Sequence, residues 1–205
     1  MEAPPAPATD TKRANAPRRY GSPRMPPEAK LAKTENGLVP EGEGWFVLNA
    51  RETRWRHAPG RSALCIFEGD GAEFPQVGIN IGVLQPGEIM AMYHWEADQE
   101  DFLVLSGEAV LIVEGEERTL RAWDFVHCPS GTKLVIVGAG DGPCVIVSVG
   151  ARAPPGPGWG GYTPDEAAAR HGASVAEETD RPDEAYAGLT RRSFVPYAGW
   201  LPEQE

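Results

Sequence analysis

The segment GEIMAMYHWEADQEDFLVLSG, which spans residues 87–107, decides the fold. Side chains alternate between two faces of an extended strand, so His94 and Glu96 are predicted to share one face. The residues assigned to that face are Met90, Met92, His94 and Glu96. A tight turn at residues 97–99 would return the chain and place Glu100 beside them. The segment therefore predicts an imidazole and two carboxylates on one otherwise apolar wall.

Short apolar runs continue on both sides of this segment, over residues 45–149, and turn residues separate them about every eight to twelve positions. This spacing is typical of a β-sandwich or β-barrel. The candidate strands are residues 45–49, 63–68, 77–84, 89–95, 101–106, 109–114, 118–121, 124–128, 133–137 and 144–149. No helix long enough for a parallel crossover separates them, so the predicted fold class is all-β and antiparallel.

After the barrel the composition changes to the Pro/Gly segment 153–158. A short helix is predicted over residues 164–171, because Thr163 is a suitable N-cap and a proline follows it. A second short helix is predicted around residues 182–189. The aromatic stretch 194–201 carries too much apolar surface to stay exposed, so we expect it to pack on the barrel or on a neighbouring subunit.

Charge is distributed unevenly along the chain, whose net charge is −11. Residues 1–33 hold seven Lys or Arg against three acids, which leaves this part at about +4 and the rest at about −15. Its Pro- and Ala-rich composition predicts disorder, with a targeting or docking tail as the alternative. We divide the chain into a disordered basic tail (1–38), a β-barrel (39–152) and a helical, aromatic extension (153–205).

Several classes of protein are disfavoured by composition. The acidic body argues against a nucleic-acid partner, because phosphate binding needs clustered Lys and Arg. No apolar run approaches the roughly 20 residues of a membrane span, and the N-terminus has no secretory apolar region, so we expect a cytoplasmic protein without a membrane partner. The three cysteines are widely spaced in apolar runs, which favours reduced, buried thiols over disulfides.

The central segment resembles the first motif of the cupin family, G-x5-H-x-H-x3or4-E-x6-G. Here the pattern is Gly87-x6-His94-x-Glu96-x3-Glu100-x6-Gly107, with one extra residue in the first gap. Residues 129–134 are similar to part of the second motif, G-x5-P-x-G-x2-H-x3-N. The resemblance covers about residues 60–150. It implies an antiparallel double-stranded β-helix, the jelly-roll barrel of the cupins, here with a short helical C-terminal tail.

The resemblance also implies a divalent metal site, with His94, Glu96 in place of a histidine, and Glu100 as ligands. Leu134 stands where the family has its last histidine, and a leucine cannot bind a metal, so this position is degenerate. The remaining donors suit Mn²⁺, Fe²⁺, Zn²⁺ or Ni²⁺. His127 is a further candidate site residue if it faces inward, and otherwise a buried core histidine. Without a metal, the two carboxylates form an acid/base pair instead.

Two functional hypotheses follow from this resemblance. The first is a small-molecule-binding cupin that is a divalent-metal-dependent enzyme of the isomerase, dioxygenase or decarboxylase type, with unassigned catalytic residues. The alternative is a non-catalytic ligand-binding cupin with a degenerate metal site, as Leu134 indicates. A DNA-binding regulator is disfavoured because no helix-turn-helix segment is visible.

Two further expectations concern partners and substrate. The resemblance and the aromatic tail predict a homodimer. No cluster of Arg or Lys on an inward face indicates an anionic ligand, and only Lys133 and Arg121 are candidates for the cavity rim.

Overall fold

The structure is a computed structural model that describes residues 25–152 and 158–203. Its strands are β1 (Lys30–Thr34), β2 (Gly37–Glu41), β3 (Trp55–Ala58), β4 (Arg61–Ile66), β5 (Val77–Leu84), β6 (His94–Glu96), β7 (Glu100–Ser106), β8 (Glu108–Val113), β9 (Glu116–Arg121), β10 (Phe125–Cys128), β11 (Leu134–Ala139), β12 (Cys144–Ala151), β13 (Gly160–Tyr162) and β14 (Ser193–Val195). Its helices are α1 (Glu166–Arg170) and α2 (Pro182–Ala185).

The strands form two large sheets and one small hairpin. A seven-stranded sheet has the order β10-β7-β12-β5-β4-β3-β14, and a five-stranded sheet has the order β13-β6-β11-β8-β9. Strands β1 and β2 pair only with each other. Every ladder between these strands is antiparallel. The predicted all-β, antiparallel class with a short helical C-terminal part is confirmed.

The main core lies between the two large sheets. It contains Leu84, Phe102 and Val104 from one sheet and Leu111, Leu134 and Ile136 from the other. Strand β11 is apolar at every position, and its place between two apolar clusters is the reason. Leu134 and Ile136 point into this core, whereas Val135 and Val137 belong to a second cluster that includes residues of α1 and α2. Both faces of β11 are covered, so the usual alternation of apolar and polar residues is absent.

The C-terminal aromatic residues cover the outer face of the seven-stranded sheet. Tyr197 and Trp200 pack against the buried ring of Trp55, with ring centroids 5.7 and 5.1 Å from it. The Trp55 indole nitrogen donates a hydrogen bond to the Ala50 carbonyl at 2.8 Å. Of the two predicted destinations for the tail, the barrel of the same chain is the one that the structure shows.

Two strand predictions were wrong: one strand does not form, and another starts later than predicted. Residues 45–49 form no strand, and Trp45 makes only an isolated bridge with Glu28. The strand predicted over residues 89–95 starts only at His94. The backbone of the residues before it forms hydrogen bonds with several different segments in turn. Met90 donates to Ile136, and Tyr93 donates to Ala173.

This irregular path changes which side chains share a face. Met90 packs against the core between the sheets, whereas Met92 is buried in the outer cluster beside the helices. The prediction that the two methionines share one face was therefore wrong.

The first C-terminal helix begins later than predicted. Asp165, not Thr163, is the N-cap of α1, and its carboxylate accepts a hydrogen bond from the Ala168 N–H at 2.8 Å. The second helix ends at Ala185, four residues earlier than the predicted limit. Both helices are short, and they are held by the apolar cluster that Ala167, Ala168 and Ala185 help to form.

At the N-terminal side, the β1–β2 hairpin occupies residues that we had included in the tail 1–38. Residues 1–24, and the greater part of the Pro/Gly segment at 153–157, lie outside the described residues. All three cysteines are free and buried, as predicted. None of the helices within 25–152 and 158–203 has the length and apolar character needed to span a bilayer.

Candidate functional site

Strand β6 and the start of β7 position the predicted ligand cluster. Strand β6 lies between β13 and β11, and His94 is paired with Leu134. Backbone bonds fix the following turn, since Gly131 donates to the Glu96 carbonyl at 2.8 Å. Gly160 allows β13 to approach, because a Cβ there would lie 2.1 Å from the Trp95 carbonyl oxygen. The chain then returns through β7, whose first residue is Glu100.

The three side chains converge. His94 Nε2 lies 3.8 Å from Glu96 Oε1 and 3.7 Å from Glu100 Oε2. One donor atom from each residue falls within 4.8 Å of the other two, an arrangement that could hold a metal ion. Both nitrogen–oxygen distances are longer than a hydrogen bond, so His94 Nε2 is hydrogen-bonded to neither carboxyl group. The sequence prediction of a shared wall for these three residues therefore agrees with their placement.

The histidine ring is oriented from behind. His94 Nδ1 lies 2.8 Å from the Met92 carbonyl oxygen, which can only accept, so Nδ1 carries the hydrogen. Burial lowers the pKa of His94, and the bond to Met92 opposes this only in part. Burial therefore favours the neutral ring, and with the hydrogen on Nδ1 the unprotonated Nε2 faces the two carboxyl groups. Metal-binding histidines are commonly oriented by such a bond on the far nitrogen.

The two carboxyl groups are unfavourably placed as anions. Burial, followed by the charge of Glu96, raises the pKa of Glu100 to about 8. Burial and Asp98 also raise the pKa of Glu96. A cation between them would offset the cost of burying the two negative charges and would reduce their mutual repulsion. One imidazole with two carboxylates is a donor set that Mn²⁺, Fe²⁺ and Zn²⁺ accept. The residues present therefore fit a divalent ion.

The cluster lies in the wall of a cavity of about 260 Å³. Apolar side chains form much of its lining, among them Met90, Phe102, Leu134 and Ile136. Besides the three residues of the cluster, the polar side chains of the lining are Asn80, Ser148, Tyr162, Tyr186 and Arg192. A partly apolar enclosure with directed polar groups is the usual form of a small-molecule site, and this one is slightly smaller than the usual range of about 300–1,000 Å³.

Two other sequence candidates are placed differently. Leu134 is buried beside His94 and offers no donor, as expected. The structure does not bring His127 to the cluster. Its side chain is 52% exposed, and its Nδ1 lies 2.7 Å from Asp101 Oδ1. The cause is the alternation of β10, in which Val126 and Cys128 face the core while Phe125 and His127 face outward.

The basic side chain in the cavity wall was not predicted from the sequence. Arg192 lines the cavity, whereas neither Lys133 nor Arg121, the two candidates for the rim, is among the lining residues. Arg192 lies about a hundred residues from the ligand segment, so only tertiary packing brings it there. The Arg191-Arg192 pair within a largely apolar tail was the one available signal.

Comparison with known proteins adds the family. Residues 80–150 match the family profile described as "Cupin domain". A search of curated proteins found no match. Among solved structures, a sugar phosphate isomerase of the cupin superfamily from Silicibacter pomeroyi is 26% identical with a TM-score of 0.42, covering 49% of this chain and 71% of that one.

Two further solved structures are each similar to about half of the chain. A candidate sugar phosphate isomerase from Acidithiobacillus ferrooxidans is 25% identical with a TM-score of 0.43, covering 48% of this chain and 67% of that one. A predicted oxalate decarboxylase from Thermotoga maritima is 19% identical with a TM-score of 0.47, covering 53% of this chain and all of the other. The family match lies within the antiparallel barrel and includes both motifs, so residues 80–150 of this chain match a cupin domain.

Proposed function

We propose that this chain is a divalent-metal-dependent enzyme acting on a small molecule, with the metal bound by His94, Glu96 and Glu100. The observation that carries the proposal is the convergence of three donor atoms within 4.8 Å in a cavity wall. Isomerase, dioxygenase and decarboxylase chemistry are the reaction types that the cupin resemblance suggests. A bound divalent ion would act as a Lewis acid on an oxygen atom of the substrate.

The surrounding residues have distinct tasks in this proposal. The Met92 carbonyl keeps the hydrogen of His94 on Nδ1, so that Nε2 stays available as a ligand. Leu134 contributes no ligand, which leaves coordination positions for water or substrate, as catalytic metal sites require. The apolar lining around Phe102 and Ile136 limits water near the reacting atoms and so strengthens electrostatic interactions there.

A non-catalytic binding protein is the second candidate, and Leu134 is the observation that favours it. Three ligands of mixed type bind a metal more weakly than a set with several imidazoles. If no metal binds, Glu96 and Glu100 would share a proton, since burial raises the pKa of each. The cavity would then bind a ligand through its shape and hydrogen bonds alone.

Metal binding separates these two candidates. Protein without a histidine tag, stripped with EDTA, is titrated with Mn²⁺ and followed by calorimetry. We expect one ion per chain, and an affinity at least about 100-fold lower for His94→Ala, because a ligand is lost. The matched control is His127→Ala, since that imidazole is exposed and bound to Asp101. It should bind Mn²⁺ as the unchanged protein does.

The opposite result is equally clear. If Mn²⁺, Fe²⁺, Zn²⁺ and Ni²⁺ all fail to bind the stripped protein, the metal-dependent proposal is lost and the non-catalytic candidate remains. Binding that is unchanged in His94→Ala would place the ion elsewhere and would also contradict the proposed site.

A further inference from the structure

A second cavity, of about 460 Å³, contains an unusual concentration of positive charge. Four arginines line it: Arg56, Arg61, Arg191 and Arg192. Its other walls are Pro182, Asp183, Tyr186 and Leu189. We call it the arginine pocket. In a chain of net charge −11, four guanidinium groups around one cavity need a physical reason.

Arg61 is the most deeply placed of the four. The residue is only 6% exposed, and its Nε is a buried atom with no hydrogen-bond partner among the described residues. Its guanidinium lies over the Tyr186 ring, 4.3 Å from the ring centroid. Burial, and then repulsion from Arg56, lower its pKa. A buried cation with an unsatisfied donor is costly unless a partner is supplied.

Arg192 is held rigidly, but only by neutral acceptors. It donates to the Ser62 carbonyl at 3.2 Å, the Ser62 hydroxyl at 2.6 Å and the Met90 carbonyl at 2.9 Å. Burial, followed by the charge of Arg61, lowers its pKa to about 10. These bonds fix the position of the guanidinium and leave its charge uncompensated.

Acids nearby do not neutralise the pocket. Within residues 25–152 and 158–203, none of the four arginines forms an ion pair. Asp183 lies in the wall, but its carboxylate is bound by Arg181 at 2.8 Å. The charge of Glu88 raises the pKa of Arg192, but it is the smallest of the effects on that group. The pocket therefore has donors and positive charge in place for an anion that none of the described residues provides.

The arginine pocket adjoins the cavity that holds the ligand cluster. Tyr186 and Arg192 line both. The bond from Arg192 to the Met90 carbonyl reaches a residue whose side chain lines the first cavity. A small molecule anchored at the arginines could therefore extend toward His94.

We propose that the arginine pocket binds a phosphate group, and that the substrate is a phosphorylated small molecule whose reacting part lies at His94, Glu96 and Glu100. Phosphate is favoured over a single carboxylate because its two charges and additional oxygen atoms can engage several guanidinium forks together. The placement of the reacting part of the substrate at the ligand cluster rests on the proposed function. The phosphate site in the arginine pocket does not depend on it.

The test uses inorganic phosphate and the full chain in the presence of EDTA, so that no metal can bind the anion. Calorimetry should give saturable binding with a Kd below about 1 mM. The variant Arg56→Gln/Arg191→Gln changes two exposed pocket residues and should weaken binding at least about tenfold. The matched control is Arg118→Gln/Arg121→Gln, which removes the same charge from exposed positions on β9 and should leave binding unchanged.

A second variant guards against general effects of charge. Arg192→Lys keeps the charge but removes the guanidinium fork, and it should also weaken phosphate binding severalfold. Absence of saturable binding by the unchanged protein would overturn the inference, and so would equal weakening by the control pair. Acetate that binds as tightly as phosphate at equal ionic strength would overturn the choice of phosphate. Because metal is absent throughout, these outcomes are independent of the Mn²⁺ titration.

Discussion

The Glu100 carboxyl makes the stability of the metal-free protein depend on pH. Its pKa is about 8 in the folded chain, raised by burial and by Glu96, against an ordinary value of 4.5. Between these values the unfolded chain ionises Glu100 while the folded chain keeps it protonated. The stabilising contribution of this group is therefore full below about pH 4.5 and is lost as the pH rises toward about 8.

This leads to a prediction for Glu100→Gln. The amide cannot ionise, so the metal-free variant should be more stable than the unchanged protein at pH 8, on the order of 1–3 kcal/mol, and little different at pH 4.5. Denaturant unfolding in EDTA at both pH values measures the difference. The exposed Glu41→Gln serves as the control and should shift neither value. An advantage that does not grow between these pH values would contradict the placement of Glu100.

At the scale of residues, the site was partly predictable. The spacing of His94, Glu96 and Glu100 required only local information, namely alternation over two residues and a short turn. The direction of His127 was not predictable, since it depends on which face of β10 meets the core. The arginines were missed because Arg61 and Arg192 meet only after the C-terminal segment has packed on the barrel.

Among the elements, β11 was predictable from the sequence pattern, whereas the path of the segment before β6 was not. Strand β11 was predicted within one or two residues because its apolar run lies between turn residues. Residues 89–93 were assigned to a regular strand because they are apolar and contain no breaker. Their backbone hydrogen bonds go to four different partners, Ser62, Ile136, Thr163 and Ala173, and a sequence pattern does not reveal such a distribution.

The start of α1 gives a prediction at this scale. Asp165→Ala removes the carboxylate that accepts the Ala168 N–H, and it should lower the free energy of unfolding by about 1 kcal/mol. Thr163→Val is the control, because the Thr163 hydroxyl contacts only the Pro164 carbonyl at 3.2 Å and caps no helix N–H. Urea unfolding measures both. A greater loss for Thr163→Val than for Asp165→Ala would restore Thr163 as the N-cap and contradict the structure.

Across the whole molecule, the fold class followed from periodicity, but the course of the C-terminal extension did not. Regular turns and β-branched runs were sufficient to predict an all-β, antiparallel fold, and the resemblance to the cupins added the barrel. The extension instead supplies β13 and β14 to opposite sheets, and its aromatic residues cover Trp55. These contacts are long-range, and no local pattern in residues 158–203 encodes them. The extension thus completes both outer layers of the barrel.

Homodimerisation is the remaining prediction for the whole molecule. The aromatic tail no longer supports it, since Tyr197 and Trp200 pack on the same chain. Two other aromatic side chains are exposed: Trp123, 75%, in the turn before the edge strand β10, and Phe125, 64%, at the start of that strand. Exposed aromatic residues at a sheet edge favour association with a second copy.

Sedimentation equilibrium at micromolar concentrations should therefore give about twice the chain mass of 22.1 kDa. Trp123→Ser/Phe125→Ser should weaken the dimer, because it removes two exposed aromatic side chains at this edge. Val47→Ser is the control, since Val47 is also exposed, at 82%, but lies far from β10 in the sequence. A single species of 22.1 kDa for the unchanged protein would contradict the prediction. A dimer that persists equally in both variants would place the interface on another surface.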